Sequence, residues 1–232
     1  MIELKCVDQR YPISNALLYI RGLTINKGEF VGILGENGSG KTTLLKAILG
    51  IGELQDGELA IEGKRVDEQF ARMAFVTEEG SFLPNRTPIE YARFLADFFP
   101  DFDRDYYERL LKLYELPVDR KIRTFSKGQK MKLEMSAGLA KRADYFLMDE
   151  PFVGKDVFSR RDSLKQLMSG LKGGETIVLA THQVDEIENA IDRALVIHKG
   201  LVRADVYIDE LREQGKSLTD VMVEARNLRS YG

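Results

Sequence analysis

Short apolar runs alternate with stretches of helical spacing along this chain. Phe30–Leu34, Met73–Val76, Tyr145–Met148, Thr176–Ala180 and Ala194–Ile197 read as buried strands, most of them ending in polar residues or glycine. Strands alternating with helices predict an α/β fold with a mostly parallel sheet, whose strand tips carry the site. The first ten residues read as a further strand. Turn signals at Asn26-Lys27-Gly28 and Gln55-Asp56-Gly57 predict hairpins, so an N-terminal antiparallel β subdomain is expected up to about Ile61.

From Pro84 to about Ala143 helical spacing dominates. Tyr91, Phe94, Leu95, Phe98 and Phe99 fall on one broad face. A second helix is expected over Arg104–Leu116, bounded by Pro100 and Pro117, and a third from Ser126 to about Lys141. The expected organisation is a single domain over 1–232. Residues 1–83 and 144–232 form its α/β core, and 84–143 an inserted α-helical subdomain. The tail Asp205–Leu228 reads as two short helices.

Composition narrows the field. Of 232 residues, 44% are apolar and 31% charged, and the net charge is only -3, which gives no global attraction to nucleic acid or to an anionic membrane. Cys6 is the one cysteine, so neither an intrachain disulfide nor a cysteine zinc cluster can form. His182 and His198 are too few for a histidine-rich metal site. No stretch approaches the roughly 18–20 apolar residues needed to span a bilayer. Any membrane process would therefore need a pore from a separate chain.

The strongest chemical signal is Gly35-Glu36-Asn37-Gly38-Ser39-Gly40-Lys41-Thr42, which fits G-x-x-x-x-G-K-[ST]. It follows an apolar strand and opens a helical run at Thr43–Leu49, the context the motif requires. Glycines let the backbone curl so that successive N–H groups point at phosphate oxygens. The helix N-terminus adds roughly half a unit of positive charge. Lys41 is expected to reach the β- and γ-phosphates of a nucleotide, and the Thr42 hydroxyl to ligate Mg²⁺. Downstream, Tyr145–Met148 runs into Asp149-Glu150-Pro151. Alone, such a pair is more often a solvated strand exit. With a phosphate loop upstream, Asp149 is expected to hold Mg²⁺ and Glu150 to orient or deprotonate the attacking water.

Phe125-Ser126-Lys127-Gly128-Gln129-Lys130, shortly before the Asp-Glu strand, resembles the LSGGQ-type signature of ABC transporter ATPases. Thr181-His182, after the strand Thr176–Ala180, looks like that family's switch histidine. Tyr11 lies where the family places an aromatic that stacks on adenine. The resemblance runs from about residue 2 to 210. It implies a P-loop NTPase core that binds ATP through Gly35, Asn37, Gly38, Ser39, Gly40, Lys41, Thr42 and Thr43, with Tyr11 on the base. It implies Mg²⁺ at Thr42 and Asp149, and catalysis by Glu150 and His182. It also implies a head-to-tail dimer in which Ser126, Gly128 and Gln129 of one chain contact the γ-phosphate held by the other. Ser126 is in any case a plausible helix N-cap. The implied partners are a separate multi-span membrane subunit and a second ATPase chain, identical or not, and no nucleic acid. The implied place is the inner face of the cell membrane. Phe98-Phe99-Pro100-Asp101-Phe102-Asp103, Tyr107–Leu116 and the Ser-Lys-Gly signature look like ABC-2-type exporters.

Two positions depart from the family. Glu78 stands where a Mg²⁺-contacting glutamine is usual, and is expected to join the metal shell. Lys155, in Phe152-Val153-Gly154-Lys155-Asp156, stands where leucine is common at the dimer seam, which leaves a heterodimer open. Three rivals remain at this point. An ABC ATPase of DNA repair or translation would carry coiled-coil insertions or two ATPase units. A small-molecule kinase would need an acceptor site and a lid. A non-hydrolysing scaffold would not need Glu150 and His182.

Overall fold

The computed structural model describes residues 1–11, 16–51, 56–77, 82–151, 157–184 and 187–227. Its regular elements, in chain order, are β1 (Ile2–Tyr11), β2 (Ala16–Ile25), β3 (Phe30–Leu34), α1 (Lys41–Ile48), β4 (Asp56–Ile61), β5 (Lys64–Arg65), β6 (Met73–Thr77), α2 (Pro88–Phe98), α3 (Arg104–Leu113), α4 (Lys127–Ala140), β7 (Tyr145–Asp149), α5 (Val157–Gly170), β8 (Thr176–Thr181), β9 (Arg193–His198), β10 (Leu201–Tyr207), α6 (Ile208–Glu213) and α7 (Leu218–Asn227). They divide into two compact units, one of Met1–Gln69 with Thr176–Gly232, the other of Phe70–Glu175.

The first unit carries strands in the order β5-β4-β1-β2-β10-β9-β3-β8. β3 and β8 are buried at every position, and β3 pairs in parallel with both β8 and β9. Burial on both faces is what turns a parallel strand into a continuous apolar run, and it is why both strands stand out in the sequence. Gly32, at the centre of β3, is needed for space: a Cβ there would meet Ile187 Cδ1 and Ile191 Cδ1, each at 2.9 Å.

β1, β2, β4 and β5 form the expected antiparallel part, but its turns differ from the sequence reading. Asn26–Gly28 does turn the chain, through a hydrogen bond from the Asn26 amide to Glu29 at 2.7 Å and one from Gly28 N–H to the Thr176 hydroxyl at 3.0 Å. It is not a hairpin, because β2 pairs with β1 and β10 while β3 pairs elsewhere. Asp56-Gly57 begins β4, with Asp56 already paired to Asp8. The tight hairpins lie at Glu62-Gly63 and Lys199-Gly200, where both central residues have positive φ (51° and 73°; 48° and 76°). That is the pattern two-residue type I′ turns require. In the tail, Asp205–Tyr207 belong to β10, and the helices begin only at Ile208.

At the end of β3 remote from the phosphate loop, Arg193 is nearly buried. It forks onto Asp205 with two 2.6 Å bonds and reaches the Thr24 carbonyl at 2.8 Å. Hydrogen bonds to Asp205 push its pKa up further. Burial raises the neighbouring Glu29 carboxyl, but hydrogen bonds from Asn26 and Tyr207, with the Arg193 charge, hold it below its ordinary value.

In the second unit β6 and β7 run parallel, with Thr77 opposite Asp149. α2 opens with a complete capping box between Thr87 and Glu90 and a proline at its start, the arrangement that satisfies otherwise orphaned N–H groups. Its buried stripe is Tyr91, Ala92 and Leu95. Phe94 and Phe98 lie outside that stripe, 39% and 63% exposed, with ring centroids 4.7 Å apart. The broad aromatic face therefore splits into a covered and an uncovered half. α3 ends at Leu113, three residues short of the expected Leu116, which is buried beyond the helix. Asp103 caps α3 by accepting from the Tyr106 N–H at 2.8 Å and pairs with Arg142 at 2.8 Å. The Arg142 guanidinium lies 4.0 Å from the Tyr106 ring centroid. No helix among the described residues is long and apolar enough to cross a membrane.

Candidate functional site

In the first unit, β3 ends at Leu34 and the chain curls through Gly35–Gly40 into α1. Gly35, Gly38 and Gly40 all have positive φ (156°, 78° and 113°), a region that costs a side-chain-bearing residue strain. A Cβ at Gly35 would also collide with the Ile197 carbonyl and the Ser39 hydroxyl. The loop closes through the Ser39 N–H to the Glu36 carbonyl at 3.1 Å. The Lys199-Gly200 hairpin fastens it from outside: Gly200 donates to the Ser39 carbonyl at 2.7 Å, and its own carbonyl accepts from Tyr19 N–H at 2.9 Å.

α1 starts without a side-chain cap and without an acidic residue in its first turn. The first turn of an α-helix offers N–H groups that the helix itself cannot satisfy, and the helix dipole makes this end positive. Lys41 is 5% exposed, and its ammonium spans the Gly35 carbonyl at 2.9 Å and the Glu36 carbonyl at 3.2 Å. Ser39 is also 5% exposed, and its Oγ has no hydrogen-bond partner in the structure. A buried hydroxyl without a partner costs about 1–3 kcal/mol, so it is best explained by a ligand that supplies the acceptor. Asn37, Gly38 and Thr42 are exposed, while Thr43 is buried. A strongly curled backbone, a buried cation, an orphaned hydroxyl and an open helix end fit a bound polyphosphate.

His182 is exposed and is the first residue beyond β8. Leu34 and Thr181 are register partners across β3 and β8, so the phosphate loop and His182 leave neighbouring strands at one level. Gln183, which the sequence reading missed, lies beside the ring, with its amide nitrogen 3.4 Å from His182 Nε2; its N–H donates to the Thr181 hydroxyl at 3.1 Å. Sequence spacing offered no signal for it. Tyr11 is the last residue of β1, opposite Ala16; its side chain lies outside the described residues, as do Glu78 and the loop containing Lys155.

In the second unit, Asp149 ends β7 at 8% exposure. Glu150 follows with φ 47° and is half-buried, and Pro151 is buried. A non-glycine residue in the left-handed region costs on the order of 1–3 kcal/mol and is often found where function demands it. The turn takes Glu150 off the strand's course immediately after Asp149. Among the described residues no three His, Cys, Asp or Glu gather as a ready metal cage. Mg²⁺ does not require one, since it is commonly held by one or two protein oxygens together with water and substrate phosphates. Each taken by itself, the Thr42 hydroxyl of the first unit and the Asp149 carboxylate of the second are hard oxygens of the kind this ion takes.

Ser126 is the N-cap of α4. Its hydroxyl oxygen accepts from the Gln129 N–H at 3.2 Å, and Gln129 Oε1 accepts from the Ser126 N–H at 3.0 Å. This box uses acceptors on both side chains and leaves the Ser126 hydroxyl proton and the Gln129 amide hydrogens as donors. The first turn of α4 contains no acid. A Cβ at Gly128 would meet only Ser126 Oγ, at 4.0 Å, so packing within the chain does not demand glycine there. A close-approaching ligand or second chain would.

A model of the ABC transporter family matches residues 21–153. The chain is 31% identical over 218 residues to the ABC transporter ATP-binding protein YtrB of Bacillus subtilis (strain 168), covering 92% of this chain and 74% of that one. It is 26% identical to the SkfA peptide export ATP-binding protein SkfE of the same organism, covering 86% of each. A solved ATP-binding subunit of an ABC transporter superposes with a TM-score of 0.81 at 27% identity, over 97% of this chain and 99% of the other. The ATP-binding cassette MJ0796, in a dimeric post-hydrolysis state bound to ADP and Pi, gives 0.76 at 25% identity, over 90% and 99%.

Proposed function

The chain belongs to the ABC transporter family, and from that premise we propose that this ATPase subunit drives an ABC-2-type exporter through ATP-driven pairing with a second ATPase chain. The observation that carries the nucleotide reading is the buried, partnerless Ser39 hydroxyl beside the buried Lys41 ammonium in the curl of the phosphate loop.

In the proposed cycle the loop amides, Ser39, Lys41 and Thr43 hold the phosphates of ATP, and Tyr11 stacks on adenine. Thr42 and Asp149 would provide oxygens for Mg²⁺, with Glu78 joining them; when bound, the ion would supply charge that offsets that of the phosphates. Glu150 takes the proton of the attacking water. His182 holds transition-state charge. Ser126, Gly128 and Gln129 present their donors to the γ-phosphate of the partner chain's ATP. The helical segment 84–143 transmits closure to a separate multi-span membrane subunit, which places the chain peripherally on the inner face of the cell membrane. Three things support export: the Ser-Lys-Gly signature, the aromatic run at Phe98–Phe102 and the similarity to a peptide export protein.

The test is the Glu150→Gln protein. It should bind MgATP, form an ATP-dependent dimer in size-exclusion chromatography and turn over at least 10²-fold more slowly, within the range for loss of a general base. Full-rate phosphate release by this variant would remove Glu150 from the mechanism. A strictly monomeric ATP-bound state would remove the dimer.

A further inference from the structure

Glu36 places a carboxylate inside the phosphate-binding motif, one residue from Gly35, with its own carbonyl bonded to the Lys41 ammonium at 3.2 Å. A negative charge there opposes the binding of a polyanion. The structure supplies a counter-charge from the far end of the sequence: Arg226 Nη1 lies 3.2 Å from Glu36 Oε1.

The position of Arg226 follows from how α7 is held. Leu218, Val221 and Ala225 are its buried positions, the spacing of one helical face. Its start is fixed twice. Ser217 and Asp220 bond reciprocally, at 2.9 Å and 3.2 Å, and Glu188 accepts from the Leu218 N–H at 3.0 Å. A helix pinned at its first turn and along one face delivers its last turn to a defined place. Arg226 lies in that last turn, next to the buried Ala225, and a cation there also suits the negative end of the helix dipole.

We propose that Arg226 is a positioning residue for nucleotide binding, acting through Glu36: it neutralises the acid in the phosphate loop so that the site keeps its positive potential. This rests on the reading that ATP binds in that loop. Both side chains are largely exposed, 68% and 59%, so solvent screens the pair and the effect is a few-fold that fades with salt.

The experiment measures MgATP affinity and steady-state hydrolysis in the full chain at low and high ionic strength. Arg226→Ala should weaken MgATP binding about two- to fivefold at low salt and raise KM by the same factor. The kcat at saturating ATP should not change. Arg226→Lys should restore most of the affinity. Glu36→Gln alone should bind at least as tightly as the unsubstituted protein. In the Glu36→Gln background the guanidinium is no longer held at the loop and is screened by solvent, so Arg226→Ala should have a clearly smaller effect. An equal loss in both backgrounds would assign Arg226 to the fold of α7 and overturn the inference, as would unchanged affinity at low salt. Absence of MgATP binding in the unsubstituted protein would instead overturn the reading beneath it.

Discussion

Leu34 and Thr181 face each other in the parallel register of β3 and β8. The residues that follow them, Gly35 and His182, therefore leave the sheet side by side. One strand delivers the backbone curl for phosphate and its neighbour delivers an exposed imidazole. The register sets their relative position through five successive partner pairs, from Phe30 opposite Ile177 to Leu34 opposite Thr181.

His182 is exposed, and substitutions at exposed positions usually change stability little. His182→Ala should unfold within about 0.5 kcal/mol of the unsubstituted protein. Its kcat should fall roughly 10²-fold with KM little changed, as for loss of a group that acts on transition-state charge. Coupled phosphate-release kinetics and thermal melts distinguish these outcomes.

Lys41 loses more. Its ammonium is buried and ties the loop to itself through Gly35 and Glu36. Charge-assisted contacts of this kind contribute about 1.5–3 kcal/mol. Lys41→Ala should weaken MgATP binding roughly ten- to a hundredfold or more, measured by calorimetry or by displacement of a fluorescent nucleotide.

Ser126 combines a structural and a proposed functional role. Ser126→Ala removes the N-cap of α4 and should cost about 1 kcal/mol in denaturant unfolding. Ser126→Asp keeps a capping oxygen but adds a negative charge and removes the hydroxyl proton. Made in the Glu150→Gln background, both should diminish the ATP-dependent dimer seen by light scattering, with Ser126→Asp the more severe despite its intact cap.

Asp103 gives a pH signature. The Arg142 hydrogen bond, then the Tyr106 N–H, hold its carboxyl below its ordinary value. The folded group thus binds its proton at lower pH than the unfolded one. Its contribution is fully present above the unfolded value and is lost as pH falls through the folded one. Asp103→Asn keeps a capping oxygen but loses the charge. It should be less stable than the unsubstituted protein above about pH 5, and the difference between the two melting temperatures should shrink as the pH falls below the ordinary carboxylate range.

The strands that build the first site were legible because burial on both faces gives unbroken apolar runs, and β3 appears in the structure with its expected ends. The cap at Ser126 was legible because a serine three residues before glutamine is a local signal. Pairing was less so. Asn26–Gly28 announces a turn, but nothing local states that β3 will lie between β8 and β9 rather than beside β2. The spacing of Tyr91, Phe94, Leu95 and Phe98 shows a shared face, but not how much of it the neighbouring helix covers. The left-handed turn at Glu150 and the reach of Arg226 to Glu36 depend on tertiary placement, which the order of residues does not display.

Gly32 is the quiet point of β3. The room left by its missing side chain is taken up by Ile187 and Ile191, which lie only a few positions beyond His182 in the chain. A methyl group introduced there would press on these two plugs. The strand's middle is thus in contact with side chains that follow β8 in the chain. Gly32→Ala should reduce turnover, although no atom of that residue belongs to the phosphate loop.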